Sequence, residues 1–247
     1  MKIRLWWSFL LAVQNLTRLP VGNVPFDPVV FGRGTAFFPL VGLLVGGVSA
    51  GIYFGAGCIW PLPVVAALLV GGGLLLTGGM HLDGFMDTVD GLGGSDAARR
   101  LEIMRDSRVG AFGVMGGVCL LLLRFALFSS LGAAAWPLLL LAPVVSRAGM
   151  VWAIFFFPYA RPQGQGRLYK DYTGRRETAV ATLLVLVLSF LLGGPAGVVL
   201  AVVSLAIVLL LGFFFKRRLG GLTGDVYGAI NELVETGVLA VGLAIYR

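Results

Sequence analysis

Apolar residues run along this chain in six long stretches, approximately 36–57, 62–79, 110–130, 136–157, 178–215 and 229–246, and polar positions gather in the intervals between them. The 178–215 stretch is long enough for two passes and is interrupted at Gly193-Gly194-Pro195-Ala196-Gly197. Counted twice, it gives seven expected membrane spans, each near the ~20 residues that a bilayer core requires. The shorter apolar run Leu5–Leu16 cannot span. Residues 3–17, with Trp6 and Trp7, therefore predict a helix lying in the membrane interface. No small-residue cleavage site follows before Thr17-Arg18-Leu19-Pro20, so the run does not read as a cleavable signal peptide. The expected fold is all-α, a polytopic integral membrane helical bundle forming a single domain over 1–247. Its polar elements, 81–113, 158–177 and 216–235, are where chemistry is expected.

Composition strengthens this picture. Over 247 residues the mean hydropathy is +0.93, with 58% hydrophobic and only 13% charged residues, which excludes an ordinary soluble domain. The 37 glycines recur at four-residue spacing, as in Gly42 and Gly46, Gly47 and Gly51, and Gly113 and Gly117. Such spacing lets helix backbones approach closely in lipid. Cys58 and Cys119 are isolated, with no paired spacing that suggests zinc or a disulfide framework.

A net charge of +7 raises the question of nucleic acid, but the placement of charge argues against it. Sixteen of the 19 Lys and Arg lie in 1–33, 99–108, 161–176 and 216–218, whereas the connections near 58–61, 131–135 and 193–197 contain none. Only Arg247 lies at the far end, and Arg124 and Arg147 fall inside spans. This asymmetry is the positive-inside pattern, so the charged loops are expected to face the cytoplasm. A basic face there attracts lipid head groups and anionic substrates, and no nucleic-acid partner is expected.

The chemistry centres on Met80-His-Leu-Asp-Gly-Phe-Met-Asp-Thr-Val-Asp-Gly91. On a helix, Asp83, Asp87 and Asp90 share an arc of about 60°. Like charges at that spacing repel, and a hard divalent cation removes the cost. The second span runs directly into this motif, so the three carboxylates are expected at or just beneath the membrane surface on a continuous helix. Ionisable groups at that depth mark a functional site by default. On such a helix His81, the one histidine of the chain, points about 160° away from Asp83. It suits either a general base or a packing role.

Residues 95–109 read as a short amphipathic helix with Ser95 as N-cap, followed by Arg105, Asp106 and Arg108. Paired arginines clamp phosphate with forked hydrogen bonds, although a positive-inside stop signal explains the same charges. Arg124 and Arg147, inside spans, should face the bundle interior. Structural pairing is favoured for Arg124 and a site role for Arg147. The 158–177 loop combines Gly, Arg, Lys and Tyr, a set able to hold a nucleotide. In the last polar stretch Asp225, Glu232 and Glu235 span an arc of about 80° if helical, with Asn231 nearby. This second acidic face is a candidate to meet the first around one or two metal ions. Nine of the twelve acidic residues lie in 83–106 and 225–235.

The sequence resembles the cobalamin synthase family, the membrane-bound adenosylcobinamide-GDP ribazoletransferases. The resemblance rests on His81-Leu-Asp-Gly-Phe-Met-Asp-Thr-Val-Asp-Gly-Leu92 followed by Leu101-Glu-Ile-Met-Arg-Asp-Ser-Arg-Val-Gly-Ala-Phe-Gly113. Leu16–Pro20, Gly34–Gly42, Tyr159–Arg161 and Gly224–Glu232 support it in family order. It implies attack by a hydroxyl of α-ribazole, or of its 5′-phosphate, on the cobinamide-side phosphorus of adenosylcobinamide-GDP, with loss of GMP. It also implies Mg²⁺ as cofactor and the bacterial inner membrane as location. Carried onto this chain, Asp83, Asp87 and Asp90 are expected to hold the metal, with Asp225, Glu232 or Glu235 closing its shell. Arg105, Arg108, Arg147, Arg161 and Asn231 are expected to contact substrate, and Asp106 or His81 to assist the nucleophile.

Two other Mg²⁺-dependent classes share parts of the pattern. CDP-alcohol phosphotransferases begin as Asp87-Thr-Val-Asp90-Gly91 does, but Gly94 and Ser95 stand where Ala and Arg are expected. Prenyltransferases use Asp-rich helices but lack the Arg105–Phe112 stretch. A cation transporter is the third alternative, weakened by charges that gather at one membrane face and by the absence of a visible inverted repeat. The oligomeric state is open, a homo-oligomer included.

Overall fold

The structure, a computed structural model, describes residues 2–246. Arg247, read above as the far-end cation, lies outside the described residues. In chain order the helices are α1 (Lys2–Leu16), α2 (Pro28–Arg33), α3 (Phe38–Gly57), α4 (Leu62–Thr77), α5 (Met80–Leu92), α6 (Ala97–Ile103), α7 (Ala111–Ser129), α8 (Leu138–Phe156), α9 (Gln165–Tyr172), α10 (Arg175–Leu219) and α11 (Gly224–Ile245). Short 3₁₀ turns occupy Gly34–Phe37 and Ala133–Ala135. Among the described residues there is no strand, only a backbone bridge between Tyr159 and Leu222. The all-α expectation is met.

Helix α8 is the hub. A helix apolar on every side must be surrounded, and α8 is buried along nearly its whole length, with α3, α10 and α11 packed around it. The glycine spacing explains the closeness of α3: a Cβ on Gly46 would lie 2.7 Å from the Leu139 carbonyl oxygen, and one on Gly42 would strike the Pro143 carbonyl. Gly47 and Gly51 instead face open space. The third four-residue pair packs on α5, where Gly113 meets Asp90 and Gly117 meets Met86.

The 45-residue α10 is a hairpin rather than a rod. At Gly194 the backbone leaves the helical region (φ 59°, ψ −146°). A Cβ on Gly197 would strike the Ser189 carbonyl, whereas eight residues of straight helix would separate them by about 12 Å. Both limbs return to one end of α8: Thr182 accepts a 2.9 Å hydrogen bond from Trp152, and Gly212 packs against Phe157. Five helices are long and apolar enough to cross a membrane, and the bent α4–α5 pair makes six. Counting the limbs of α10 separately restores the expected seven passes.

Three local expectations are corrected and one unexpected helix is added. The helix from 62 into the acidic motif is not continuous: α5 leaves α4 at 92°. Gly78 and Gly79 both take left-handed conformations (φ +66° and +68°), which cost other residues energy but not glycine. We therefore read α4 as the crossing and α5 as lying outside the spanning segments. The segment before the first span contains α2, started by Asp27, whose carboxylate accepts from the amides of Val29 and Val30 at 2.8 and 3.0 Å. In the 95–109 stretch the N-cap is Asp96, accepting from Arg99 at 3.0 Å, rather than Ser95, and the helix ends at Ile103. The 158–177 loop contains α9. The expected N-terminal helix forms as α1, with Leu11, Ala12, Val13 and Leu16 buried against the bundle.

Candidate active site

The site is built on α5, clamped between two glycine contacts. On one side a Cβ on Gly84 would lie 2.9 Å from Asp225, and one on Gly228 would lie 3.1 Å from the His81 carbonyl, so α5 and α11 touch backbone to backbone. On the other side α7 approaches through Gly113 and Gly117. Between the clamps one edge stays open, and it carries Asp83, exposed, with Asp87 and Asp90, half-buried.

These carboxylates differ in occupation. Asp90 is committed: its oxygens accept from the amides of Gly110 and Gly113 at 2.8 and 2.7 Å, capping α7. Asp87 is under electrostatic load. Burial, then the charges of Asp83, Asp225 and Asp90, push its pKa up to about 6, with Arg161 alone opposing them. Asp225 sits in the first turn of α11 behind the N-cap Thr223 and pairs with Arg161 at 2.8 Å. The Tyr159–Leu222 bridge supports that pair, with hydrogen bonds of 2.8 Å from Ala160 to Leu222 and from Leu222 to Pro158.

Two clefts open at opposite ends of the acidic edge. The inner cleft, about 340 Å³, lies between α5, α9 and α11 and is lined by His81, Asp83, Asp225, Arg161, Tyr159 and Tyr227, among others. The outer cleft, about 600 Å³, is lined by Asp90, Arg99, Glu102, Asp106, Arg108 and Phe112. On its exposed loop Arg108 grips Asp106 at 2.7 Å, and that hydrogen bonding draws the Asp106 carboxyl down to about 2. A carboxylate so acidic is a poor proton acceptor near neutrality. Arg105 is exposed on the same loop.

Of the second acidic face, Asp225 meets the first, but Glu232 and Glu235 do not. Along α11, Glu235 stands about 15 Å from Asp225. Glu232 pairs with Arg124 at 2.9 Å, while Glu235 is bound by Arg147, accepts from Ser146 at 3.2 Å and lies 3.7 Å from Arg124. Arg124 also donates to Thr236 at 3.0 Å. Two glutamates thus face two arginines in the bundle interior, and Arg147 is only 2% exposed. Asn231 joins neither acidic face: it contacts the ring of His81 at 3.3 Å, and both are buried.

The family model described as Cobalamin-5-phosphate synthase matches residues 8–243. The chain belongs to this family. It is 43% identical over 236 residues to the adenosylcobinamide-GDP ribazoletransferase of Thermosynechococcus vestitus, covering 94% of this chain and 93% of the relative. It is 39% identical over 243 residues to the protein of the same name from Roseiflexus sp., covering 96% and 91%. A third relative of that name, from Pseudomonas putida, is 40% identical over 245 residues, covering 96% and 98%. No solved structure matches.

In this member of the cobalamin-5-phosphate synthase family, the geometry gathers Asp83, Asp87, Asp225, Arg161 and His81 at the inner end of α5, and Asp90, Asp106 and Arg108 at the outer end. It leaves Arg147, Glu232 and Glu235 in the interior network. Sequence reasoning missed Asn15 and Tyr227, both of which line the inner cleft. Tyr227 lies inside the Gly224-Asp-Val-Tyr-Gly228 run, where glycines flanking an aromatic residue are a readable sign of tight packing beside an open wall.

Proposed function

We propose that this chain is a membrane-bound transferase that joins adenosylcobinamide-GDP to α-ribazole, or to its 5′-phosphate, giving adenosylcobalamin (5′-phosphate) and GMP. A hydroxyl oxygen of α-ribazole bonds to the cobinamide-side phosphorus. The bond from that phosphorus to the oxygen retained by GMP breaks, and the hydroxyl proton passes to a carboxylate of the α5 edge.

One observation carries this reading: an edge of carboxylates in surplus, set between two clefts. After burial, it is the charges of Asp83, Asp225 and Asp90 that raise the Asp87 pKa. A diphosphate would be repelled by such an edge unless a cation intervened. Asp83 and Asp87, one turn apart, are the residues that would hold Mg²⁺, which typically takes one or two carboxylates and keeps water and substrate phosphate as its other ligands. Among the described residues no three His, Cys, Asp or Glu side chains converge as a ready-made metal cage, and an ion that keeps water and phosphate does not require one. When bound, Mg²⁺ neutralises charge on the attacked and leaving phosphates. Arg99, Arg105 and Arg108 border the outer end of the edge, where forked donors suit phosphate. Arg161 holds Asp225 in place. The positive-inside distribution supports a cytoplasmic site in the bacterial inner membrane.

The test is GMP release by the purified protein in liposomes, given adenosylcobinamide-GDP and α-ribazole with Mg²⁺ or with EDTA. Mg²⁺-dependent GMP matched mole for mole by cobalamin is expected. No GMP from a demonstrably folded preparation overturns the reading.

A further inference from the structure

We infer that the inner cleft is the acceptor subsite, taking the planar aromatic base and ribose of α-ribazole, while the guanosine diphosphate of the donor lies at the outer end of α5. This assignment rests on the reaction proposed above.

The two clefts differ in ways that sort the two substrates. At about 340 Å³, the inner cleft is within the range of small-molecule pockets, about 300–1,000 Å³. It cannot enclose a corrinoid. Its walls carry Tyr159, Tyr169, Tyr227, Met150 and Leu16. The Tyr159 and Tyr227 rings stand 6.0 Å apart, tilted by 33°. Aromatic walls suit a fused aromatic base, which stacks at little entropic cost. Asn15 and Gln165 add neutral polar groups suited to ribose hydroxyls.

This cleft offers a diphosphate no unengaged guanidinium. Among the described residues its one guanidinium is that of Arg161, and it is engaged by Asp225 at 2.8 Å and by the Met104 carbonyl at 3.3 Å. The outer cleft is larger and its cations are solvent-exposed: Arg99 and Arg108, held at 2.7 Å by Glu102 and Asp106, with Arg105 on the same loop in no ion pair among the described residues. Asp83 and Asp90 are about 10 Å apart along the α5 axis. Acceptor and leaving group therefore approach the reacting phosphorus from opposite ends of the helix, as an in-line displacement requires.

Glycines keep the acceptor wall open. Gly166 packs on the Tyr159 ring, where a Cβ would lie 2.7 Å from its hydroxyl oxygen. Gln165 beside it is exposed at the rim, so a bulky residue there covers the mouth without disturbing the core.

The test is steady-state kinetics in liposomes with each substrate varied at saturating levels of the other, on Gln165→Trp and Tyr159→Leu. The KM for α-ribazole is expected to rise about tenfold or more in both, with the KM for adenosylcobinamide-GDP unchanged within about twofold. A rise confined to the adenosylcobinamide-GDP KM, or no change in either constant, overturns the assignment. Wild-type protein that releases no GMP from this substrate pair removes the reaction itself, a failure distinct from a misassigned cleft. Thermal unfolding of both variants checks that the fold is intact, and Gln165→Trp, at an exposed position, decides the matter if Tyr159→Leu fails to fold.

Discussion

Two groups of carboxylates sit on touching helices and have opposite surroundings. In the interior, Glu232 and Glu235 face Arg124 and Arg147, two charges against two, with Ser146 and Thr236 supplying further hydrogen bonds. On the α5 edge, Asp83, Asp87 and Asp225 have one guanidinium among them, that of Arg161, and Asp90 is occupied by amides. Balanced charge in a bundle interior is a structural device whose cost rises steeply when one member is lost. Unbalanced charge at an open edge is retained for something that arrives from outside.

The largest effect should come from the unbalanced group. Asp87→Asn is expected to lower Mg²⁺-dependent GMP release by at least about 10²-fold, with thermal unfolding nearly unchanged because no protein partner is orphaned. A folded Asp87→Asn protein with full turnover would sink the metal assignment.

Next comes the balanced group, where the pattern inverts. Glu235→Gln leaves Arg147 buried beside a neutral amide and should destabilise the protein by about 3–5 kcal/mol, read from unfolding in detergent. Turnover per folded molecule should stay near wild type. Replacing Arg147 and Glu235 together with leucine should recover much of that loss, and a double variant no more stable than Glu235→Gln would contradict the pairing.

The pH dependence is subtler. The Asp87 pKa is raised from 3.8 to about 6, so between those values the native state holds the proton that the unfolded state releases. The Asp87 contribution to stability therefore falls as pH rises through that window, then levels off above about 6. Cation binding runs the other way: the Mg²⁺ concentration for half-maximal rate should rise up to about tenfold per unit as pH drops below 6. A flat Mg²⁺ requirement from pH 5 to 7 would remove Asp87 from the ion.

The smallest effect belongs to Asp90. Asp90→Ser keeps a capping oxygen and should cost about 1 kcal/mol or less, whereas Asp90→Ala should lose more stability than Asp90→Ser. Equal unfolding of the two would show that capping is not its role.

Much of this was legible in the residues. The apolar stretches announced the crossings, and the break at Gly194-Pro195 announced the hairpin in α10. The spacing of Asp83, Asp87 and Asp90 survived because α5 is a regular helix. What failed was long-range. Gly78-Gly79 was visible as a weak point, but a 92° turn depends on where α11 and α7 receive α5. Glu232 and Glu235 looked like site residues because periodicity reports which face they share with Asp225. It does not report depth along the axis or the arginines waiting on α7 and α8. Short helices such as α2 and α9 escaped because six or eight residues carry too few turns to show a period.

The right-angle turn at Gly78-Gly79 also sets how a bulky molecule can be handled. If α4 stands across the bilayer, α5 lies along its surface like a shelf at the waterline. For a donor of the proposed kind, only the narrow phosphate bridge need come over that shelf, while the corrin ring stays in water. Enzyme and any lipid-associated reactant would then search for each other by lateral diffusion in a plane, and product would leave sideways without a gate having to open.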